Sequence, residues 1–197
     1  MPFKNSDFNK SILLLIEWSN TWGSFIRCGN IHENIFILYS SMKSTWGPAT
    51  WKFIHVLCEN APNNEELFIK FRETLWSQII EFCSILPCES CSKHSYSSLS
   101  PIKANTIHSK DVLIRLMYRF HNHVNKRTSS NKADEDSLEQ YKTLNLEKCF
   151  DDLQQRWKYT LQYLSIQQLK HKTLCEKNLR KMEVWLKKYK HMMEMIN

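Results

Sequence analysis

Leu67, Phe71, Leu75, Ile79, Phe82 and Leu86 recur every three or four residues and stop at Pro87. That spacing belongs to an amphipathic helix with one buried face, and a proline without a backbone N–H ends such a run. The same period returns in Val112, Leu113, Leu116, Met117, Phe120 and Val124 after Ser109, and again in Leu179, Met182, Leu186, Tyr189 and Met193. With three glycines, five prolines and few β-branched runs in 197 residues, the chain reads as all-α. Helices are expected over about Pro48–Asn60, through the Leu67–Leu86 stripe, from Cys88 towards Ser98, and from near Ser109. Asn63 followed by Glu66 reads as a capping box for the second, and Ser100-Pro101 breaks the third. Four amphipathic helices with short connections make a four-helix bundle.

Around that bundle, residues 1–43 form an N-terminal extension whose apolar patches, Ile12–Ile16 and Ile35–Tyr39, show no sustained period. The core spans 44–145, its polar stretch from Thr128 to Asp136 reading as a mobile loop. Residues 146–197 form a basic helical extension, one long helical region from about Leu146, with ten Lys/Arg against five Asp/Glu over 151–197. Its heptad-like stripe docks on its own domain or pairs with a copy of itself, with a dedicated partner-binding helix as the alternative.

The chemistry begins where the second helix stops, at Pro87-Cys88-Glu89-Ser90-Cys91-Ser92-Lys93-His94. Cysteines at i and i+3 lie one helical turn apart, close enough to close a disulfide and open it again. Pro87 suits a helix start, which puts Cys88 near a helix N-terminus, where the positive dipole end favours thiolate. A thiolate beside a partner thiol is equipped for thiol–disulfide exchange. Upstream lies Trp46-Gly47-Pro48-Ala49-Thr50-Trp51-Lys52-Phe53-Ile54-His55, with Trp51 and His55 on one helical face. Downstream lies Phe120-His121-Asn122-His123-Val124-Asn125.

In this order W-G-P-x-x-W-x-x-x-H, P-C-x-x-C-x-x-H and H-N-x-V-N resemble the Erv/ALR family of FAD-linked sulfhydryl oxidases over roughly residues 45–128. The resemblance implies an FAD-dependent thiol oxidase. Reducing equivalents pass from a protein dithiol through the C-x-x-C to FAD and then to molecular oxygen, giving hydrogen peroxide. Carried over by position, Cys88 is the interchange thiol and Cys91 the flavin-proximal one, while Trp51, His55, His94, His121, Asn122 and Asn125 contact FAD. It also implies a homodimer, for which Trp76 and Ile80, off the inward stripe of the second helix, offer an apolar patch.

This chain departs from the family pattern in two places. Thr128 stands where a leucine is usual, and Ser130 where a lysine is often found, with Lys132 slightly beyond. No second C-x-x-C is present to act as a shuttle: Cys28, Cys149 and Cys175 are isolated, and the latter two cannot bond within one straight helix. Seven cysteines are an odd number, so at least one stays free or pairs with another chain.

The alternative is a non-catalytic zinc-binding helical module using Cys88, Cys91 and His94, completed by Cys83 or by His121 and His123. Zinc explains neither Trp51 and His55 nor Asn122 and Asn125, and Cys83 falls in a buried register as a small apolar side chain. Cys58 reads as a core residue, and His108, His171 and His191 read as solvent-exposed.

The net charge of +7 is read as a solvated helix face rather than a nucleic-acid surface. Ile12–Ile16 is too short for a membrane span or an export signal. A compact core without a shuttle motif looks like the oxidases of large cytoplasmic DNA viruses. That implies host cytoplasm or virion as the location if the chain is viral, a soluble intracellular one otherwise, and a thioredoxin-like carrier or a virion protein as the dithiol substrate.

Overall fold

The computed structural model describes residues 45–195, which are helical throughout with no strand among them. Residues 1–44, with the two apolar patches and Cys28, lie outside the described residues. Helix α1 covers 45–59. It is followed by α2 (Glu65–Cys83), α3 (Glu89–Leu99), α4 (Lys110–Arg127), α5 (Leu146–Gln162) and α6 (Leu169–Glu194). Short 3₁₀ turns at Ala104–Thr106, Glu135–Tyr141 and Ile166–Gln168 connect them.

Local sequence sets most of the boundaries. The N-cap of α2 is Asn64, whose side chain accepts from the Leu67 N–H. Asn63, expected in that place, instead accepts from Lys110 Nζ at 2.9 Å. Ser109 caps α4 by accepting from the Val112 N–H, and Asn145 caps α5 by accepting from Lys148. Each such cap satisfies one of the unpaired N–H groups that open a helix.

The core lies where α1, α2 and α5 meet. Phe53 packs on Phe82 and Phe150, with centroids 5.4 and 5.2 Å away. Trp157 stacks on Phe82 at 5.2 Å and donates its Nε1–H to Thr50 Oγ1 at 2.9 Å. From α4, Leu113 and Met117 add fully buried side chains. Residues 146–197, expected as an appendage, therefore contribute core side chains of their own.

Three expectations change. The long C-terminal helix is two helices, broken at 163–165, where Ser165 and Gln168 form a capping box. Trp76 is only 3% exposed and donates its Nε1–H to the Ile102 carbonyl, so the chain itself covers the tryptophan of the expected patch, while Ile80 is half-buried. The polar stretch after α4 is tied down: Ala133 is bonded to both Asn122 and Tyr118. The stripe on α6 docks on its own chain, burying Leu179, Met182 and Tyr189, with the Tyr189 hydroxyl donating to the Asn60 carbonyl.

Candidate active site

Cys88 and Cys91 are joined as a disulfide, Cα atoms 5.2 Å apart. Cys88 is the N-cap of α3, with extended backbone, and its Sγ accepts the Cys91 N–H at 3.2 Å. A sulfur at that position faces the unpaired N–H groups and positive dipole end of the helix, which lowers the cost of carrying it as thiolate. Ser92, buried, fixes the approach to it. Its Oγ accepts from the Leu86 N–H at 2.8 Å and lies 3.0 Å from the Cys88 carbonyl. Cys88 is only 1% exposed, whereas Cys91 is half-buried.

One turn beyond Cys91, His94 shares its face of α3. The His94 ring lies parallel to His123 at 5.4 Å and to Phe120 at 6.4 Å. Partial burial, then the positive charge of Arg127 and the neighbouring His123, hold His94 below the ordinary histidine value. Phe120 in turn meets Trp51 edge-on at 5.5 Å, and Trp51 stacks on His121 at 4.0 Å with the planes 11° apart. Aromatic side chains of α1, α3 and α4 thus run without a gap from the disulfide's own helix to Trp51.

His55 and His121 close the far side. His55 Nε2 lies 3.1 Å from His121 Nδ1. Burial, then the neighbouring His121, pulls His55 down to about 3, and burial pulls His121 down to about 4, so both rings are neutral at pH 7. His55 is 2% exposed, and its Nδ1 has no hydrogen-bond partner within the protein. A buried polar atom left unpaired is costly, which marks the position as one that a ligand completes. Against the other face of His55 lies Tyr141, stacked at 4.7 Å and 15°.

Of the two asparagines in H-N-x-V-N, Asn122 is already engaged. It donates to the Ala133 carbonyl at 3.2 Å and accepts the Ala133 N–H at 2.9 Å, holding the segment that carries Tyr141. Asn125 donates to Asn122 Oδ1 at 3.4 Å, which leaves the Asn125 oxygen free of any side-chain bond in this group.

The set suits a planar heteroaromatic group with a polar edge: flat faces from Trp51, His121 and His94, neutral imidazoles able to donate or accept, and an orphaned buried nitrogen at His55. FAD meets that description. Cys88 and Cys91, the sulfur ligands of the zinc alternative, are bonded to each other here, and His94 stacks on His123. Among the described residues no group of three or more His, Cys, Asp or Glu side chains is arranged to hold a metal ion.

Tyr141 and Ser92 were invisible to the sequence reading. Tyr141 ends the short 3₁₀ turn Glu135–Tyr141, where no helical period operates, and a serine after a cysteine carries no signal. His171, read as exposed, is 8% exposed and bonded to Leu86. Cys58, Cys83, Cys149 and Cys175 are all buried free thiols.

A family model described as the Erv1/Alr family matches residues 48–158. A protein of a Kenyan pig isolate of African swine fever virus, named FAD-linked sulfhydryl oxidase, is 34% identical over 85 residues, which cover 42% of this chain and 66% of that relative. The protein of the same name from a Malawian tick isolate of that virus is 32% identical over 85 residues, with the same coverage of both chains. The match thus spans slightly less than two thirds of the length of these relatives. No solved structure matches the chain.

Proposed function

Because this chain belongs to the Erv1/Alr family, we propose that it is an FAD-linked thiol oxidase that makes disulfide bonds in a substrate protein through Cys88 and Cys91. The observation that carries this reading is the disulfide at the N-terminus of α3, on the helix whose His94 opens the aromatic path to Trp51, His121 and His55. The residues to hold FAD are Trp51, His55, His94, His121 and Asn125, with Asn122 holding the segment beside them. Tyr141 joins this set as a face packed on His55. When bound, FAD supplies a two-electron acceptor that passes the pair to molecular oxygen, giving hydrogen peroxide.

The protein's part is thiol exchange. The N-terminus of α3 must open for a substrate thiolate to attack Cys88 Sγ, since Cys88 is 1% exposed in the closed disulfide. The Cys88–Cys91 bond then breaks, and Cys91 leaves as thiolate. A second substrate thiolate attacks the mixed disulfide, releasing the oxidised substrate and Cys88. Two substrate thiols have then become one disulfide, and the electron pair resides in the Cys88–Cys91 dithiol. The α3 N-terminus stabilises both leaving thiolates, Cys88 at the cap and Cys91 in the first turn. Neutral His55 and His121 offer hydrogen bonds without adding positive charge to the site.

The dithiol substrate is a thioredoxin-like carrier or a virion protein, and the place of action is host cytoplasm or virion, as for the viral oxidases this chain resembles. No helix among the described residues is long and apolar enough to cross a membrane. The homodimer implied by the family no longer has Trp76 as its basis. The large apolar side chain that α2 exposes is Ile69, 42% exposed, and light scattering at tens of micromolar tests whether a second copy covers it.

Flavin release tests the function. Heating the purified protein should free a yellow supernatant with FAD in one-to-one ratio to chain. A folded, colourless protein carrying stoichiometric zinc would instead support the metal-binding alternative.

A further inference from the structure

Helix α6 lies wholly beyond the family match, yet one of its faces is aimed at the five residues that end just before Pro87 and Cys88. Asn178 Nδ2 donates to the Phe82 carbonyl at 2.9 Å and to the Ile85 carbonyl at 2.8 Å. The His171 Nε2–H donates to the Leu86 carbonyl at 2.8 Å, and the Cys175 thiol to the same oxygen at 3.4 Å. On its other nitrogen, His171 Nδ1 stands 3.8 Å from Glu89 Oε1, inside the C-x-x-C itself. Residues 171, 175 and 178 fall at i, i+4 and i+7, so these contacts form one continuous stripe.

The stripe is not what packing alone selects. Asn178 is 1% exposed, and its Oδ1 has no hydrogen-bond partner in the protein. A leucine of similar volume would avoid that unsatisfied acceptor. The amide is explained by what its nitrogen does: it holds the last carbonyls of α2 and the loop that delivers Cys88. Ser92 grips the same loop from α3. Leu86, two residues before Cys88, is therefore fixed from both sides.

We propose that α6 is a clamp on the redox loop, with Asn178 and His171 as positioning residues that set how readily the Cys88–Cys91 disulfide is reduced. This rests on the thiol-oxidase reading only for the meaning of that disulfide. A loop held in place keeps the two sulfurs at high effective concentration, which favours the closed disulfide over the open dithiol. Releasing the loop shifts the exchange Cys88–Cys91 + 2 GSH → dithiol + GSSG to the right, where GSH is glutathione and GSSG its disulfide. Atoms and electrons balance in that exchange, with glutathione as the reductant.

The test equilibrates the full-length protein, without oxygen, in glutathione buffers of graded ratio. It then traps free thiols at low pH and counts modified Cys88 and Cys91 by peptide mass. Asn178→Leu and His171→Leu each remove the donors at nearly constant volume and should shift the equilibrium about tenfold towards dithiol, roughly 30 mV. His171→Gln keeps an N–H donor and should stay within twofold of wild type. Leu153→Ala, in the core of α5, should lower thermal stability without moving the equilibrium.

If Asn178→Leu does not fold, the His171 pair decides alone. A shift within twofold for the leucine variants would overturn the proposal and reduce α6 to a structural cap. So would an equal shift in Leu153→Ala. Failure of the oxidase reading would look different, as wild-type protein without flavin, and would leave these equilibria readable.

Discussion

His55 Nε2 and His121 Nδ1 face each other at 3.1 Å inside the protein, and a single hydrogen serves both nitrogens. If it rides on His55, then His55 Nδ1 is a bare acceptor; if on His121, it is an unpaired donor. Two positive rings at that distance would repel, and burial adds to the cost of charging either, so the pair favours the neutral form and does not persist with both rings charged.

Acid should therefore unfold this protein through these histidines. Their folded values, about 3 and about 4, lie below the ordinary 6.5, so between those limits the unfolded chain binds protons that the folded chain refuses. The stabilisation is fully present above pH 6.5 and is lost as pH falls towards 4 and 3, by about 1.4 kcal/mol per pH unit for each group. Urea midpoints measured from pH 7.5 to 4.5 should fall accordingly, and His55→Gln should flatten the slope.

Tyr141 should matter through its ring rather than its hydroxyl. Stacked on His55 at 4.7 Å, it joins the aromatic group from a segment that the family motifs do not reach. Tyr141→Ala should weaken FAD binding to the flavin-free protein at least tenfold, read by fluorescence quenching on titration, and Tyr141→Phe should bind as wild type.

Asn122 should govern the order of the segment after α4. Losing its two bonds to Ala133 costs about 1–2 kcal/mol. Limited proteolysis of Asn122→Ala should cut between 128 and 141 faster than wild type. Tyr118→Phe should be milder, since the Ala133 carbonyl keeps its bond to Asn122.

The thiols outside the C-x-x-C should be silent in the native protein. Burial pushes Cys83 and Cys175 up to about 12 and raises Cys58 and Cys149 as well. Among the described residues Cys58, Cys83, Cys149 and Cys175 are free, so denatured oxidised protein should titrate at least four thiols with Ellman's reagent, while in the native state none of these four should react quickly. Cys58→Ala and Cys83→Ala should keep thiol oxidation and lose about 1 kcal/mol of stability.

How much of this was legible in the sequence follows from which forces are local. The periods that marked α2 and α4 reflect a core face, and Leu75, Ile79, Phe82, Leu113, Met117 and Phe120 are all buried. On α2 the face is shifted slightly at its start: Phe68 is buried and Leu67 only half-buried, because the helix begins at Glu65 behind Asn64. Two adjacent asparagines offer equal caps, and only the contact with Lys110 decides between them.

The residues that were misread depend on distant chain. Trp76 is covered by a segment some 26 residues away. The buried face of α6 holds His171 and Asn178, polar residues that reverse the hydrophobic pattern because their partners are backbone carbonyls 85 to 96 residues earlier. The break before α6 did leave a local sign, Ser165 three residues ahead of Gln168, which is the capping-box spacing.

Oxygen uptake by the purified, flavin-loaded protein given dithiothreitol tests the central claim most directly. Wild type should consume oxygen and accumulate peroxide in equal amounts, while Cys88→Ser and Cys91→Ser should each fall at least a hundredfold, since one thiol cannot cycle alone. Undiminished uptake by either variant would contradict the exchange mechanism, and no uptake by flavin-loaded wild type would contradict the oxidase itself.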